Sequence, residues 1–216
     1  MDFGSVGPPF WSDRPVILLG GGPSIRGLDF SILPSIGYVV GVNQGMFDCD
    51  VDAGISIDRT FVRRNLAALR AFASMSELYL AVGERDDLDL KAIYLRDAMP
   101  PLSHDQGSVH PGGTSGYAAL NLAVLKGAKR ILLLGYDYGA ASGRRHYHDA
   151  YRMMDPSDDA SWRRWAANFH EASRNLVGVE VMNASPLSRI ACFPKCSVED
   201  GLRWASRCSS SGAGLL

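Results

Sequence analysis

The feature that most constrains the fold is the stretch from Pro15 to Ser24, which reads Pro-Val-Ile-Leu-Leu-Gly-Gly-Gly-Pro-Ser. Four consecutive apolar residues without polar alternation are typical of a parallel strand that is covered on both faces. The glycines that follow let the backbone reach positive φ and let a ligand approach the amides. We expect Ser24 to cap a short helix, whose N-terminal N–H groups favour a phosphate. The stretch therefore predicts a phosphate cradle, or else a strand-to-helix turn that uses glycine for geometry alone.

The turn matches neither of the two common phosphate-binding motifs. A Walker loop needs Gly-Lys-Ser/Thr, whereas these glycines are followed by Pro23 and no lysine is present. A dinucleotide fingerprint needs Gly-x-Gly-x-x-Gly, but Ile25 stands where the last glycine belongs and Gly27 comes too late. A ligand bound here would therefore use the turn in another way.

Composition limits the class of protein. A chain of 216 residues suits one α/β domain, which we place at residues 1–207, with a disordered Ser/Gly tail expected at 208–216. The net charge of −1 gives no bulk attraction to nucleic acid or to a membrane surface. No apolar run approaches the ~20 residues of a membrane span. The start of the chain does not resemble a signal peptide, and the four cysteines suit free thiols, so we expect a cytoplasmic protein.

Apolar runs and helical patterns alternate along the chain. Strands are predicted at 16–19, 38–42, 52–57, 77–82, 130–135 and 179–183, and helices at 60–74, 114–126, 161–175 and 199–205. Residues 27–34 are predicted to form a short helix or turn, and residues 83–112 an irregular loop that is either mobile or faces substrate. This order predicts a Rossmann-like α/β fold with a mostly parallel sheet and helices on both faces.

Polar residues follow most of the predicted strands. In parallel sheets, ligands bind beyond the carboxyl ends of the strands, so these residues are candidate ligand contacts. Each of them alone could equally cap a helix or form a turn. They are Asn43, Gln44, Asp58, Asp137, Asn183 and Ser185.

Asp137 is the candidate metal ligand because it closes the strongest strand of the chain. Mg²⁺ takes one or two protein oxygens and keeps several waters, so a single carboxylate at a strand end suits it. The alternative is a cap on the turn that follows.

The run Gly143 to His148 carries the other candidate chemical groups. Arg144 and Arg145 could neutralise a phosphate, because a guanidinium binds phosphate in a bidentate manner, or they could be merely solvated. His146 and His148 are candidate proton-transfer groups, since imidazole titrates near pH ~6.5. With Asp149 they could instead bind a metal ion.

Four segments together resemble one superfamily of proteins. They are Gly20-Gly21-Gly22-Pro23-Ser24, Asn43 after a strand, Thr114-Ser115-Gly116, and Gly135-Tyr136-Asp137-Tyr138. The chain is similar over residues 16–183 to the superfamily that holds the bacterial family 42 sialyltransferases and the 6-hydroxymethylpterin diphosphokinase-like proteins, which include motility accessory factors. The resemblance implies the same fold and transfer of a group from a nucleotide.

The resemblance also implies a set of nucleotide-binding residues. In the sialyltransferases the glycine turn, the asparagine and the Thr-Ser-Gly stretch line the CMP site, although the position of Gly21 is usually asparagine there. Asp58 at a strand end and Tyr138 in the last motif complete the candidates. The full set is Gly20, Gly21, Gly22, Pro23, Ser24, Asn43, Asp58, Thr114, Ser115, Gly116 and Tyr138.

Other features of the sequence point to different branches of this superfamily. The run from Gly143 resembles the diphosphokinase and accessory-factor branch, in which Gly-Lys-x-His follows the Gly-x-Asp strand. The ending, with Ser185, Ser188, Arg189 and Phe193-Pro194, is similar to small bacteriophage-borne members. We therefore expect a protein of a bacterium or a phage-infected cell.

Three functions stay open at this point. The first, which we favour, is a glycosyltransferase with a nucleotide-sugar donor, since no ATP-binding lysine lies near the glycine turn. The second is an ATP-dependent diphosphokinase with Mg²⁺, and the third is a non-catalytic nucleotide-binding module. The near-neutral charge argues against nucleic acid as an acceptor. The acceptor is open, and a homo-oligomer is compatible with the sequence.

Overall fold

The computed structural model describes residues 4–8, 10–81, 90–97, 101–141, 143–149 and 158–207, so the predicted tail lies outside them. The strands in these ranges are β1 (Val16–Leu19), β2 (Tyr38–Val42), β3 (Ala53–Ser56), β4 (Glu77–Leu80), β5 (Ile93–Tyr94), β6 (Arg96–Asp97), β7 (Ser108–Val109), β8 (Arg130–Leu134) and β9 (Glu180–Asn183). The α-helices are α1 (Leu33–Ile36), α2 (Gly45–Asp48), α3 (Arg59–Arg64), α4 (Leu66–Phe72), α5 (Ser115–Leu125), α6 (Asp159–Ser173) and α7 (Val198–Ser206). Short 3-10 helices lie at Pro23–Ile25 and Phe30–Ile32. None of the helices in the described ranges has the length and apolar character needed to cross a bilayer.

Seven strands form one parallel sheet in the order β5-β4-β3-β2-β1-β8-β9. Strands β6 and β7 form a separate parallel pair. The chain moves from β1 toward one edge of the large sheet and then returns on the other side of β1 with β8. The space between the carboxyl ends of β1 and β8 is therefore a topological switch point, where sheets of this class bind ligands.

Strand β1 lies at the centre and contributes side chains to both faces of the sheet. Val16 and Leu18 belong to the hydrophobic cluster that also holds residues of α5 and α6. Ile17 and Leu19 belong to a second cluster, with residues of α4 and α7. All four side chains are fully buried, which explains why the strand shows no polar alternation. The predicted Rossmann-like α/β fold with helices on both faces is confirmed.

The single helix predicted at 60–74 is wrong, because the chain forms α3 and α4 with a break at Asn65. The side-chain Nδ2 of Asn65 donates to the Phe61 carbonyl at 2.8 Å, and its backbone N–H donates to the same oxygen at 3.1 Å. Asparagine competes in this way with the regular helical ladder. The apolar residues keep a helical spacing across the break, so the sequence pattern predicted one continuous helix.

The segment predicted to be irregular contains β5, β6 and β7, although residues 82–89 and 98–100 lie outside the described part of the chain. A buried amide on α5 holds it in place. Asn121 Oδ1 accepts from the N–H groups of Ser103 and His110, both at 2.8 Å, and its Nδ2 donates to the Ser103 carbonyl at 2.9 Å. Part of this order therefore comes from a distant side chain, which local patterns do not reveal.

A buried ammonium group lies at the end of the sheet that is opposite the switch point. The side chain of Lys126 is fully buried and lies 2.9 Å from Glu77 Oε2 and 3.1 Å from the Gly7 carbonyl. The rings of Trp11 and Tyr79 lie 5.1 and 5.7 Å from its Nζ. Tyr79 also donates to Glu77 at 2.9 Å. The N-terminal segment is therefore attached to α5 and β4 through one charged group.

Glu77→Gln tests the contribution of this network to stability. The change leaves the buried ammonium without an anionic partner, so we expect unfolding in urea to lose about 2–3 kcal/mol. Glu180→Gln is the matched control, because Glu180 also begins a strand and pairs with Arg130 at 2.8 Å on a more exposed surface. The control should lose less than about 1 kcal/mol. Equal losses in the two variants would contradict a buried role for Lys126.

Candidate active site

The glycine turn after β1 packs directly against the end of β8. The N–H of Gly20 donates to the Leu134 carbonyl, and the N–H of Gly22 donates to the Gly135 carbonyl, both at 2.8 Å. A Cβ at Gly20 would lie 2.8 Å from the Gly135 oxygen, and a Cβ at Gly22 would lie 2.0 Å from Asp137 Oδ2. Two of the three glycines are thus required by close packing inside the protein, which is the alternative that the sequence left open.

Asp137 is a buried carboxylate behind this turn. Its Oδ2 accepts from the Ser24 hydroxyl at 2.7 Å and the Ser24 N–H at 3.4 Å, and Asp137 is only 4% exposed. Burial raises the pKa of Asp137, whereas the hydrogen bonds from Ser24 lower it. Ser185 lies 3.0 Å from the Ser24 hydroxyl and accepts from the Tyr136 N–H. This carboxylate holds the turn in place through its Oδ2. Its role as a Mg²⁺ ligand stays a prediction.

Ser24 does not cap a helix, so that prediction is wrong. Gly22 occupies the N-cap position of the 3-10 helix at Pro23–Ile25, without a side-chain cap bond, and Ser24 lies inside the helix. The N–H groups of Gly20, Gly22 and Ser24 all have acceptors within the protein, and Pro23 has no N–H. Among the described residues of the turn, this leaves the N–H of Gly21 for a ligand. A cradle built from several turn amides is not formed here.

The histidine loop, residues 143–149, lies over Gly21. His146 Nδ1 is 3.2 Å from the Gly21 carbonyl, and the N–H of Tyr147 donates to the same oxygen at 3.1 Å. The rings of His146 and His148 are stacked, with centroids 5.3 Å apart and planes at 14°. A Cβ at Gly21 would lie 3.3 Å from His146 and 3.7 Å from His148. The structure thus brings together two histidines and the glycine turn from opposite halves of the chain.

Burial, together with the adjacent His146, lowers the pKa of His148 from 6.5 to about 4. His148 is therefore neutral at neutral pH. The nearby carboxylates Asp48 and Asp149 act in the opposite direction but are outweighed.

The two predicted phosphate-binding arginines point to neighbours other than the turn. Arg144 pairs with Asp149 at 3.4 Å on the surface. The Arg145 guanidinium lies over the ring of Trp162 on α6, 5.3 Å from its centroid. The first contact lies within the histidine loop, and the second attaches the loop to α6.

Asn43 has the unusual geometry that marks functional positions. It ends β2 with φ of +52°, in the left-handed region that few non-glycine residues adopt. Its Oδ1 is buried and has no hydrogen-bond partner among the described residues. An amide oxygen in this state is a ready contact for a ligand. A second such amide, Asn183 at the end of β9, pairs through its backbone with Pro194 and Cys196.

The start of α5 brings together four more predicted residues. The Thr114 side chain caps the helix and lies 2.8 Å from the Tyr138 hydroxyl. Tyr138 has φ of +50°, and its hydroxyl lies 2.8 Å from the position of a Cβ on Gly116. Burial raises the pKa of Tyr138. The Ser115 hydroxyl accepts from the Ile57 N–H at 3.0 Å and so ties α5 to the end of β3.

Asp58 caps a helix, and its role as a nucleotide contact stays a prediction. Its Oδ1 accepts from the N–H groups of Thr60 at 2.8 Å and Phe61 at 3.0 Å, so it is the N-cap of α3. This is the alternative weighed from the sequence, and it accounts for the residue.

Two residues that the sequence did not mark contribute to the site. Tyr147 stands between the two histidines, and its hydroxyl donates to Asp48 Oδ2 on α2 at 2.6 Å. The alternation His-Tyr-His was the available signal, because residues two apart in an extended segment share a side.

No protein-family model and no curated protein matches the chain. Among solved structures, it is similar to the sialyltransferase CstII from Campylobacter jejuni in complex with a substrate analogue, cytidine-5'-monophosphate. The TM-score is 0.51 at 16% identity, and the match covers 86% of each chain. A CstII complex with CMP-3FNeuAc (14% identity, 85% of this chain and 86% of that one) and a CST-II complex with a trisaccharide acceptor and CMP (16%, 85% and 86%) both score 0.47. At this level of identity the likeness establishes the fold.

Alanine substitutions test which glycines of the turn are needed because a Cβ atom would clash with neighbouring atoms. Gly22→Ala forces a Cβ against Asp137 and the backbone, so we expect a loss of about 3 kcal/mol or more in urea unfolding. Gly21→Ala is the matched control, because its Cβ meets only side-chain atoms at 3.3 Å and beyond. It should fold with a loss below about 1 kcal/mol. If the two alanines were tolerated equally, the close approach of the turn to Asp137 would be wrong.

Proposed function

We propose that this protein is a glycosyltransferase that moves a sugar from a nucleotide-sugar donor to an acceptor hydroxyl. The observation that carries the proposal is the stacked His146–His148 pair over Gly21, at the switch point between β1 and β8. A binding module has no need of a proton-transfer pair at this place. The fold it shares with a sialyltransferase supports the reaction class.

The donor nucleotide binds, in this proposal, along the carboxyl ends of β1 and β2 and the start of α5. Asn43 Oδ1 and the Gly21 N–H supply one acceptor and one donor group. The N–H groups of Ser115 and Gly116 begin α5 and have no acceptor within the helix, so they and the helix dipole favour the phosphate. Thr114 and Tyr138 hold this helix start in position.

The side chains of Arg144 and Arg145 are the candidate cations for the phosphate charge. Both stand next to His146 in the chain, and both side chains are exposed. Binding of the donor would draw at least one guanidinium from its surface contact, since phosphate accepts stronger hydrogen bonds than a ring face.

Transfer then needs one proton acceptor. As the acceptor oxygen attacks the anomeric carbon, His146 takes the hydroxyl proton, and the bond from that carbon to the phosphate oxygen breaks. The nucleotide leaves with the electron pair of that bond. Because His148 is neutral, the proton gained by His146 meets no second positive charge in the pair.

A nucleotide panel tests donor binding. We expect one of CMP, UDP, GDP, ATP or CMP-sialic acid to raise the melting temperature, by the equivalent of roughly 2.7 kcal/mol at 100 times its Kd. Asn43→Gly removes the side chain and still permits positive φ, so it should weaken the bound nucleotide by tenfold or more. Asn175→Gly, at the exposed end of α6, is the control. The proposed donor site would be rejected if no nucleotide raised the melting temperature, or if the Asn43→Gly variant bound nucleotide with the Kd of the parent protein. Preference for ATP alone would favour diphosphokinase chemistry.

His146→Ala tests the catalytic step. Loss of a general base typically lowers the rate 10²–10⁴-fold, so we expect kcat to fall by about that factor while the donor Kd is preserved. The measurement is nucleotide release from the donor with an acceptor mixture. His170→Ala, an exposed histidine on α6, is the matched control. If His146→Ala kept the kcat of the parent enzyme and His148→Ala lowered it, the general base would be His148 and not His146.

A further inference from the structure

The histidine loop is attached to α2 by one short hydrogen bond between residues 99 positions apart. The Tyr147 hydroxyl donates to Asp48 Oδ2 at 2.6 Å, a length typical of a hydroxyl that donates to an ionised carboxylate. The Tyr147 N–H also donates to the Gly21 carbonyl at 3.1 Å. Tyr147 therefore binds two different parts of the protein, one through its backbone and the other through its side chain.

The carboxylate that receives this bond is itself fixed. Gln44 Nε2 donates to the other oxygen of Asp48 at 2.9 Å. Gln44 follows Asn43, whose left-handed backbone ends β2. A continuous set of contacts thus runs from the Asn43 turn through Gln44 and Asp48 to the loop that carries the histidines.

The ring of Tyr147 packs into the protein while the histidines stack beside the glycine turn. It meets Phe30 edge to face at 5.3 Å and His148 at 4.7 Å, with interplanar angles of 85° and 90°. It is partly buried and packs against the hydrophobic cluster on the second face of the sheet. A rotation of this ring would displace His148, since the edge of one ring rests on the other.

We propose that Tyr147 and Asp48 form a positioning clip that fixes the His146–His148 pair over Gly21 and in register with the Asn43 turn. Neither residue needs to touch the substrate; both act through the histidines. The interpretation of the clip as part of a catalyst rests on the proposed function, but its effect on the histidines is measurable without any activity.

The clip has an electrostatic signature. His148 faces His146, Asp48 and Asp149, and burial is the main reason for its low pKa of about 4. If the clip opens, water reaches His148 and its pKa rises toward the ordinary 6.5. Loss of the Asp48 charge alone acts in the opposite direction, because a neighbouring carboxylate favours the protonated imidazole. The two effects can therefore be separated.

The test is Tyr147→Phe, which keeps the ring contacts and removes only the hydroxyl. Histidine titration by NMR should show the pKa of His148 raised by about one unit, a tenfold change in its protonation equilibrium. The matched control is Tyr38→Phe, which removes a tyrosine–aspartate hydrogen bond to Asp13 (3.2 Å) at the opposite end of the sheet. It should leave the histidine titration and kcat unchanged.

Activity provides the second readout. We expect Tyr147→Phe to lower kcat about tenfold with the donor KM within twofold. Asp48→Asn added to Tyr147→Phe should lower kcat no further, because both changes break the same contact. If Tyr147→Phe left both the pKa of His148 and kcat at the values of the parent protein, the proposed positioning role of Tyr147 and Asp48 would be wrong. A rise in the pKa of His148 in a protein that transfers no sugar would support the clip and reject the proposed function.

Discussion

The contact on which the rest of this structure depends is the close approach of the glycine turn to the end of β8. Two backbone hydrogen bonds and the Asp137 carboxylate leave no room for a Cβ at Gly22. The same contact joins the two halves of the sheet at the switch point. It also occupies most of the turn amides that a phosphate would otherwise meet, which is why the donor site we propose lies at Gly21, Asn43 and the start of α5.

Much of the fold could be predicted because burial on both faces leaves a clear trace in the sequence. The four apolar residues of β1 and the run at β8 were recognisable as central parallel strands for that reason. The break at Asn65 and the ordered segment around Asn121 were not, since each depends on one side-chain amide that replaces or supplements backbone bonding. The spacing of apolar residues indicates which residues face the core. It gives no information about single side-chain hydrogen bonds of this kind.

The candidate site could be predicted in its position better than in its details. The sequence located the turn, the asparagine and the histidine loop at one edge of the sheet, and the structure places them there. It misjudged the capping role of Ser24, because the Ser24 hydroxyl donates instead to Asp137, which lies 113 residues away in the chain. Asp58 proved an ordinary helix cap. The positive φ of Asn43 and Tyr138 has no local sequence signature at all.

The strand order has a consequence for how the protein is made. Strand β1 pairs with β2 on one side and with β8 on the other, so its second edge stays open until residue 134 has been synthesised. A nascent chain that holds only β1 to β4 exposes a central, wholly apolar strand along that edge. Such an edge is a template for pairing with other chains. Expression at high translation rates should therefore be limited by association of incomplete chains, and slower synthesis or chaperone capacity should raise the yield of folded protein.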